Sequence, residues 1–290
     1  MCIVRGGIAF FDSGIGGLTV LNECRKRLPE YVYYYYGDNK NAPYGNLPEK
    51  KIKKYVEKAF KKFRKLKVQA VVLACNTVTA VCVEALRKRY PFPIIGAEPA
   101  IFTAAKKGGE IFVLATKATC ESKRFSSLCE RTRAANTNAV IRPISCEGLA
   151  GDIEQHLGEA DFNFTKALPN GNPTSVVLGC THYIYIKEII EAFYGCPVYD
   201  GNEGIAKRVI AVTRDVCSEE KNRDRRPLFM IFAKKLFLPT TFNPKQQKGR
   251  KANKCSWLRN KKQGKKEGVI YFIGSGKKRN KSVFEQMFLS

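Results

Sequence analysis

Short apolar runs of strand length alternate with segments of helical period along this chain, the pattern of parallel βαβ units. The runs are IAFF (8–11), VYYYY (32–36), AVVLA (70–74), PIIG (93–96), EIFVLA (110–115), SVVLG (175–179), PVYD (197–200) and VIYFI (269–273). Several are apolar throughout, as strands covered on both faces must be. Between the second and third runs, residues 49–67 place Ile52, Tyr55, Val56, Ala59, Phe60, Phe63 and Leu66 on one stripe and lysines on the other. That spacing predicts an amphipathic helix lying on a sheet, its lysines forming a solvated face. Tyrosines 33–36 alternate across a strand and so cannot form one base-stacking platform.

Residues 218–267 break the pattern, being rich in Lys, Arg, Asn, Gln and Gly with one short apolar patch, LFMIFAKKLFL. They read as a basic, poorly ordered insertion, after which VIYFI and SVFEQMFL resume the folded pattern. A chain of 290 residues is long enough for two ordinary domains.

Charge changes this picture less than its total suggests. The net charge is +25, but residues 217–290 hold 20 Lys and Arg against 5 Asp and Glu. The basic segment, with Phe242 and Trp257 among its charges, is the one candidate for nucleic acid or an acidic partner; a solvated tail is the favoured reading. MCIVRGGIAFF is interrupted by Asp12 before any cleavage pattern, and no apolar run reaches membrane-spanning length. The expectation is a cytoplasmic protein. Eleven cysteines without an export signal then read as free thiols, with Cys82 and Cys146 among the buried ones. With no C-x-x-C pair and only His156 and His182, no metal site is expected; His156 falls on an ordinary helix surface.

Two of the thiols stand apart. AVVLACNT (70–77) and SVVLGCTH (175–182) each end an apolar β-branched run in a small residue, a cysteine and hydrogen-bonding side chains. In open α/β sheets, ligands bind beyond the carboxyl ends of strands, the position of both Cys75 and Cys180. DSGIGG, GDNKNAPYG, GAEPA and ATKATCES put polar or glycine residues at comparable points. Two halves facing one another would let two thiols flank one small ligand. One thiol can then remove a proton from a stereocentre while the other returns one to the opposite face, and a thiol of pKa about 8.5 serves in either state. Asn76, Thr77 and Thr181, beside helix N-termini, are donors suited to an α-carboxylate, and Asp12 and Ser13 are acceptors suited to an ammonium. Asp12 and His182, then Glu147, are the candidates for tuning the thiols. DSGIGG is a poor phosphate loop, because Thr19 stands where G-x-G-x-x-G needs its third glycine.

In order, FDSGIGGLTVL (11–21), GDNKNAPYG (37–45), ACNTVTA (74–80), VLATKATCES (113–122) and GCTHY (179–183) resemble the cofactor-independent aspartate/glutamate racemase family over roughly residues 6–212. The resemblance implies two similar α/β domains with mainly parallel sheets about a pseudo-twofold axis, the active site in the cleft between them. It divides the chain into 1–98 plus about 208–290, and 99–207. It implies interconversion of L- and D-glutamate for peptidoglycan without pyridoxal phosphate or metal, Cys75 acting on D-glutamate and Cys180 on L-glutamate. Asp12, Ser13, Tyr44, Gly45, Asn76, Thr77, Thr181 and His182 match the substrate-contacting positions, joined by Thr116 and Thr119. A homodimer is implied too. The alternatives are aspartate or another small amino acid as substrate, or a basic nucleic-acid binder on a degenerate racemase fold.

Overall fold

The computed structural model describes residues 6–224 and 268–289, with side chains for 6–214 and 268–289. The first half contains β1 (Ile8–Asp12), α1 (Leu18–Arg27), β2 (Tyr33–Gly37), α2 (Glu49–Leu66), β3 (Ala70–Leu73), α3 (Asn76–Arg89) and β4 (Ile94–Gly96). The second contains α4 (Ile101–Ala105), β5 (Gly109–Ala115), α5 (Lys117–Cys120), α6 (Lys123–Ala135), β6 (Ala139–Ser145), α7 (Leu149–His156), β7 (Ser175–Leu178), α8 (Lys187–Tyr194) and β8 (Val198–Tyr199). α9 (Asn202–Asp224), β9 (Ile270–Ile273) and α10 (Lys277–Phe288) close the chain.

Among the described residues all pairings are parallel and form two sheets, β4-β3-β1-β2-β9 and β6-β5-β7-β8. Read from the fourth strand of each half, the orders are β4-β3-β1-β2 and β8-β7-β5-β6, so one topology is used twice and β9 extends the first copy. In each copy the strand order reverses between the first and third strands, where an open parallel sheet forms its ligand crevice. Asp12 ends β1 and Cys75 follows β3; in the second copy Thr116 follows β5 and Cys180 follows β7 at one residue's remove. The repeated motif is thus the same point of the same topology.

The period-2 geometry of a strand sends alternate side chains to opposite faces. Phe10, Tyr33, Tyr35 and Val72 pack with α1 residues, Val209 of α9 and Phe284 of α10. Phe11, Tyr36, Val71 and Leu73 pack on the other face with Ile52, Val56, Phe60 and Phe63 of α2. Each such large side chain stabilises the fold by about 1.5–3 kcal/mol on burial. The α2 stripe ends early, since Leu66 in its last turn is exposed. The second sheet is packed likewise, with Phe112, Leu114, Val176 and Leu178 on one face and Ile111, Val113 and Val177 on the other.

Two features depart from the sequence reading. β6, AVIRPIS, was not anticipated, because a proline within a run argues against a central strand. Among the described residues it is an edge strand paired only with β5, with Val140, Arg142 and Pro143 exposed, so the missing N–H of Pro143 costs no second ladder. The basic insertion does not begin at 218: α9 continues to Asp224, and the rest of the stretch, 225–267, lies outside the described residues. Among the described residues, no helix is long and apolar enough to cross a membrane.

Candidate active site

β3 delivers Cys75 to the N-cap of α3, in extended backbone, and β7 delivers Cys180 to the same position before a short 3-10 helix, Thr181–Ile186. Both thiols line one small pocket, together with Ser13, Pro43, Tyr44, Gly45, Asn76, Thr77, Thr116, Ala150 and His182. Nine of the twelve residues singled out from the sequence therefore meet around one small space. Asp12, Thr119 and Thr181 stand directly behind its wall. Asp12 Oδ2 accepts the Thr181 hydroxyl at 3.1 Å and Asp12 Oδ1 the Gly14 amide at 2.9 Å. Thr119 Oγ1 lies 3.0 Å from Thr116 Oγ1, which lies 2.9 Å from Thr77 Oγ1, a hydroxyl cluster that joins the two halves. The buried amide oxygen of Asn76 has no hydrogen-bond partner among the described residues.

The two thiols have different neighbours. Cys75 Sγ faces Ser13 Oγ at 3.7 Å. Burial, and after it the negative charge of Asp12, push the Cys75 thiol up to about 12. Cys180 Sγ faces His182 Nδ1 at 3.7 Å, and His182 Nε2 lies 2.7 Å from Glu154 Oε1. Burial disfavours the imidazolium, but the hydrogen bonds to Cys180 and Glu154 outweigh it and hold His182 well above the usual imidazole range. Glu154 is the converse: burial would raise it, and the bond to His182 holds it below the ordinary carboxylate range. Asp12, wholly buried, is raised by desolvation, against the opposing pull of His182 and the Gly14 amide.

Of the tuning candidates, Asp12 and His182 lie at the site. Glu147 does not: it is exposed and pairs with Lys117 at 3.8 Å. The carboxylate beside His182 is Glu154, which the sequence reading missed. Its signal was present, since Leu149, Ala150, Ile153 and Glu154 form the buried face of α7, and a carboxylate on an apolar stripe needs a partner. His156, on the same helix, pairs with Glu159 at 2.8 Å away from the pocket.

Close approach between the halves depends on glycines in DSGIGG. A Cβ on Gly16 would lie 2.4 Å from Thr181 Oγ1 and 2.8 Å from the backbone nitrogen of His182. Ile15 donates its amide to Glu154 Oε1 at 2.6 Å, and Tyr185 donates its hydroxyl to the Ile15 carbonyl at 2.9 Å.

The Asp/Glu/Hydantoin racemase family profile matches residues 19–209. A glutamate racemase of Clostridium botulinum (strain Kyoto / Type A2) is 41% identical over 192 residues, 63% of this chain and 74% of that protein. The crystal structure of Escherichia coli glutamate racemase with L-glutamate and the activator UDP-MurNAc-ala superposes with a TM-score of 0.65 at 29% identity, covering 72% of this chain and 82% of that one. The glutamate racemase isoform RacE1 of Bacillus anthracis shares the fold over 98% of this chain and 94% of its own, with a TM-score of 0.68 at 22% identity.

Proposed function

The chain belongs to the Asp/Glu/Hydantoin racemase family, and from that premise we propose that it interconverts L- and D-glutamate by two-base proton transfer between Cys180 and Cys75. The observation that carries the reading is that both strand-end thiols, from equivalent points of a repeated topology, line one small pocket.

In this reading the Cys180 thiolate takes the α-proton of L-glutamate. The C–H electron pair passes to Cα and into the α-carboxylate, an S–H bond forms, and the Cys75 thiol gives its proton to the opposite face. Cys75 is left as thiolate and D-glutamate departs; the reverse reaction begins from that state. The high Cys75 pKa suits the donor role, because the thiol keeps its proton at neutral pH until the carbanion demands it. The His182 imidazolium, oriented by Glu154, offers Nδ1–H to Cys180 Sγ. Thr77 and Thr116 hydroxyls and the amides at the start of α3 are donors for carboxylates, and the Asn76 amide oxygen and Ser13 are acceptors for the ammonium. We take the lobes as 1–98 with 208–290, and 99–207, and the enzyme as a cytoplasmic homodimer supplying D-glutamate for peptidoglycan; cell fractionation and solution mass check the last two.

The test is Cα proton-to-deuterium exchange with circular dichroism of the product, for both enantiomers of glutamate and aspartate in D₂O without added cofactor. Exchange with inversion of glutamate alone is the expected result. Inversion of aspartate instead would transfer the assignment to that substrate, and no exchange with any of the four would overturn the racemase reading.

A further inference from the structure

We propose that Asp38 and Ser275 are positioning residues for the substrate pocket, through which the C-terminal segment holds the loop carrying Tyr44 and Gly45. The inference rests on the racemase reading above.

Residues 268–289 lie beyond the 19–209 stretch matched by the family profile. β9 runs parallel to β2 in the register Tyr33↔Ile270 to Tyr36↔Ile273, so its end arrives where β2 opens into GDNKNAPYG. There Ser275 Oγ donates to Asp38 Oδ1 at 2.7 Å and accepts the Lys40 amide at 3.1 Å. The Gly276 amide reaches the Gly37 carbonyl at 3.2 Å. α10 is seated against the same strand end, for a Cβ on Gly37 would stand 2.1 Å from Asn280 Nδ2.

The other carboxylate oxygen of Asp38 holds the far side of the loop. It accepts the Tyr44 hydroxyl at 2.6 Å and the Asn41 side-chain Nδ2–H at 2.9 Å. Asp38 is only 5% exposed, and these bonds use both of its oxygens. The Tyr44 ring is itself buried against Phe11 and Tyr55. The loop is thus tied at its start, its middle and its pocket-facing end to one carboxylate, and that carboxylate to Ser275.

The consequence reaches across the cleft. A Cβ on Gly45 would lie 2.9 Å from Thr116 Cβ, so a small shift of the loop moves the wall facing Thr77, Thr116 and Thr119. Neither Asp38 nor Ser275 lines the pocket or contacts either thiol. Their loss therefore weakens substrate binding and leaves the proton-transfer step alone, a pattern that general unfolding does not produce.

The experiment uses the full chain as wild type, Ser275→Ala, Ser275→Thr and Asp38→Asn, with kcat and KM for both glutamate enantiomers and thermal midpoints. Loss of one hydrogen bond to a charged group should raise KM roughly tenfold in Ser275→Ala, with kcat within about twofold. Ser275→Thr keeps the hydroxyl and restores KM. If Asp38→Asn fails to fold, the two Ser275 variants decide. An unchanged KM in Ser275→Ala beside a normally active wild type overturns the positioning role and leaves the racemase reading standing. The same holds for losses of kcat that follow thermal midpoint without rescue by threonine. A well-folded wild type that does not racemise glutamate overturns both.

Discussion

Glu154 Oε1 lies 2.7 Å from His182 Nε2, and the same oxygen accepts the Ile15 amide at 2.6 Å. One buried carboxylate of α7 therefore orients the imidazole beside Cys180 and receives the DSGIGG loop of the other half. Nδ1 of that imidazole is the atom that faces Cys180 Sγ, at 3.7 Å. Orientation of the imidazole beside Cys180 and contact with the DSGIGG loop share one group.

Glu154→Gln separates charge from shape. The amide oxygen can still accept the Ile15 amide, but the charge that raises His182 is gone. The His182 pKa should fall, and kcat/KM should drop roughly 10- to 100-fold. The drop must be equal in both directions, because the equilibrium constant between enantiomers is one. NMR titration of the imidazole and circular-dichroism rates from each enantiomer check it; an unmoved His182 titration would show that the carboxylate does not govern the imidazole.

Each single-thiol variant should retain half of the reaction. In Cys75→Ala, Cys180 can still remove and return the proton on one face, so L-glutamate exchanges its α-proton with D₂O without inverting. Cys180→Ala should exchange D-glutamate only. Racemisation in either variant should fall by at least about 10²- to 10⁴-fold. Proton NMR in D₂O with chiral analysis reads both quantities, and exchange of the same enantiomer by both variants would contradict the facial assignment.

Much of the site was legible because strand ends are short-range features. The apolar run into Cys75 and the run into Cys180 fix where each thiol falls relative to its sheet, and the doubled motif anticipates the doubled topology. Residues that reach the pocket through tertiary contacts left weaker marks. Glu154 is 28 positions from His182 and Ser275 is 237 from Asp38, so no local pattern joins either pair. β6 escaped because Arg142 and Pro143 interrupt its apolar run, which only an edge position tolerates.

The Cys75 thiol offers a pH prediction of definite sign. With its pKa near 12, it stays protonated through the neutral range, and at pH 8 the thiolate fraction is roughly one in ten thousand. The free enzyme should therefore be alkylated at Cys75 by iodoacetamide very slowly, the rate rising tenfold per pH unit up to about 12. Burial is the larger cause of the shift and Asp12 the next, so Asp12→Asn lowers the pKa and speeds alkylation at fixed pH. Folded-state stability moves the other way. The unfolded thiol ionises near 9 while the folded one keeps its proton, so this contribution declines between pH 9 and about 12. Mass-spectrometric mapping of the modified thiol decides the first claim; slower alkylation of Cys75 in Asp12→Asn would reverse the sign assigned to the carboxylate.

Gly16→Ala tests whether the two halves must meet as closely as they do. Gly16 needs no unusual backbone conformation, so alanine is objectionable there only for its methyl group. That methyl would stand 2.8 Å from the His182 backbone nitrogen, which cannot rotate away, and 2.4 Å from Thr181 Oγ1. The loop must therefore retreat, carrying Asp12 and Ser13 away from Thr181 and the pocket. A displacement approaching 1 Å should lower kcat/KM roughly a hundredfold. Gly204→Ala is the control, since its Cβ meets nothing among the described residues within 4 Å and sits in α9, where alanine favours helix by up to about 1 kcal/mol. Gly204→Ala should keep wild-type kinetics with an equal or higher thermal midpoint, while Gly16→Ala keeps its circular-dichroism spectrum and loses activity. Wild-type kcat/KM in Gly16→Ala would mean that catalysis does not need the DSGIGG loop pressed against Thr181 and His182.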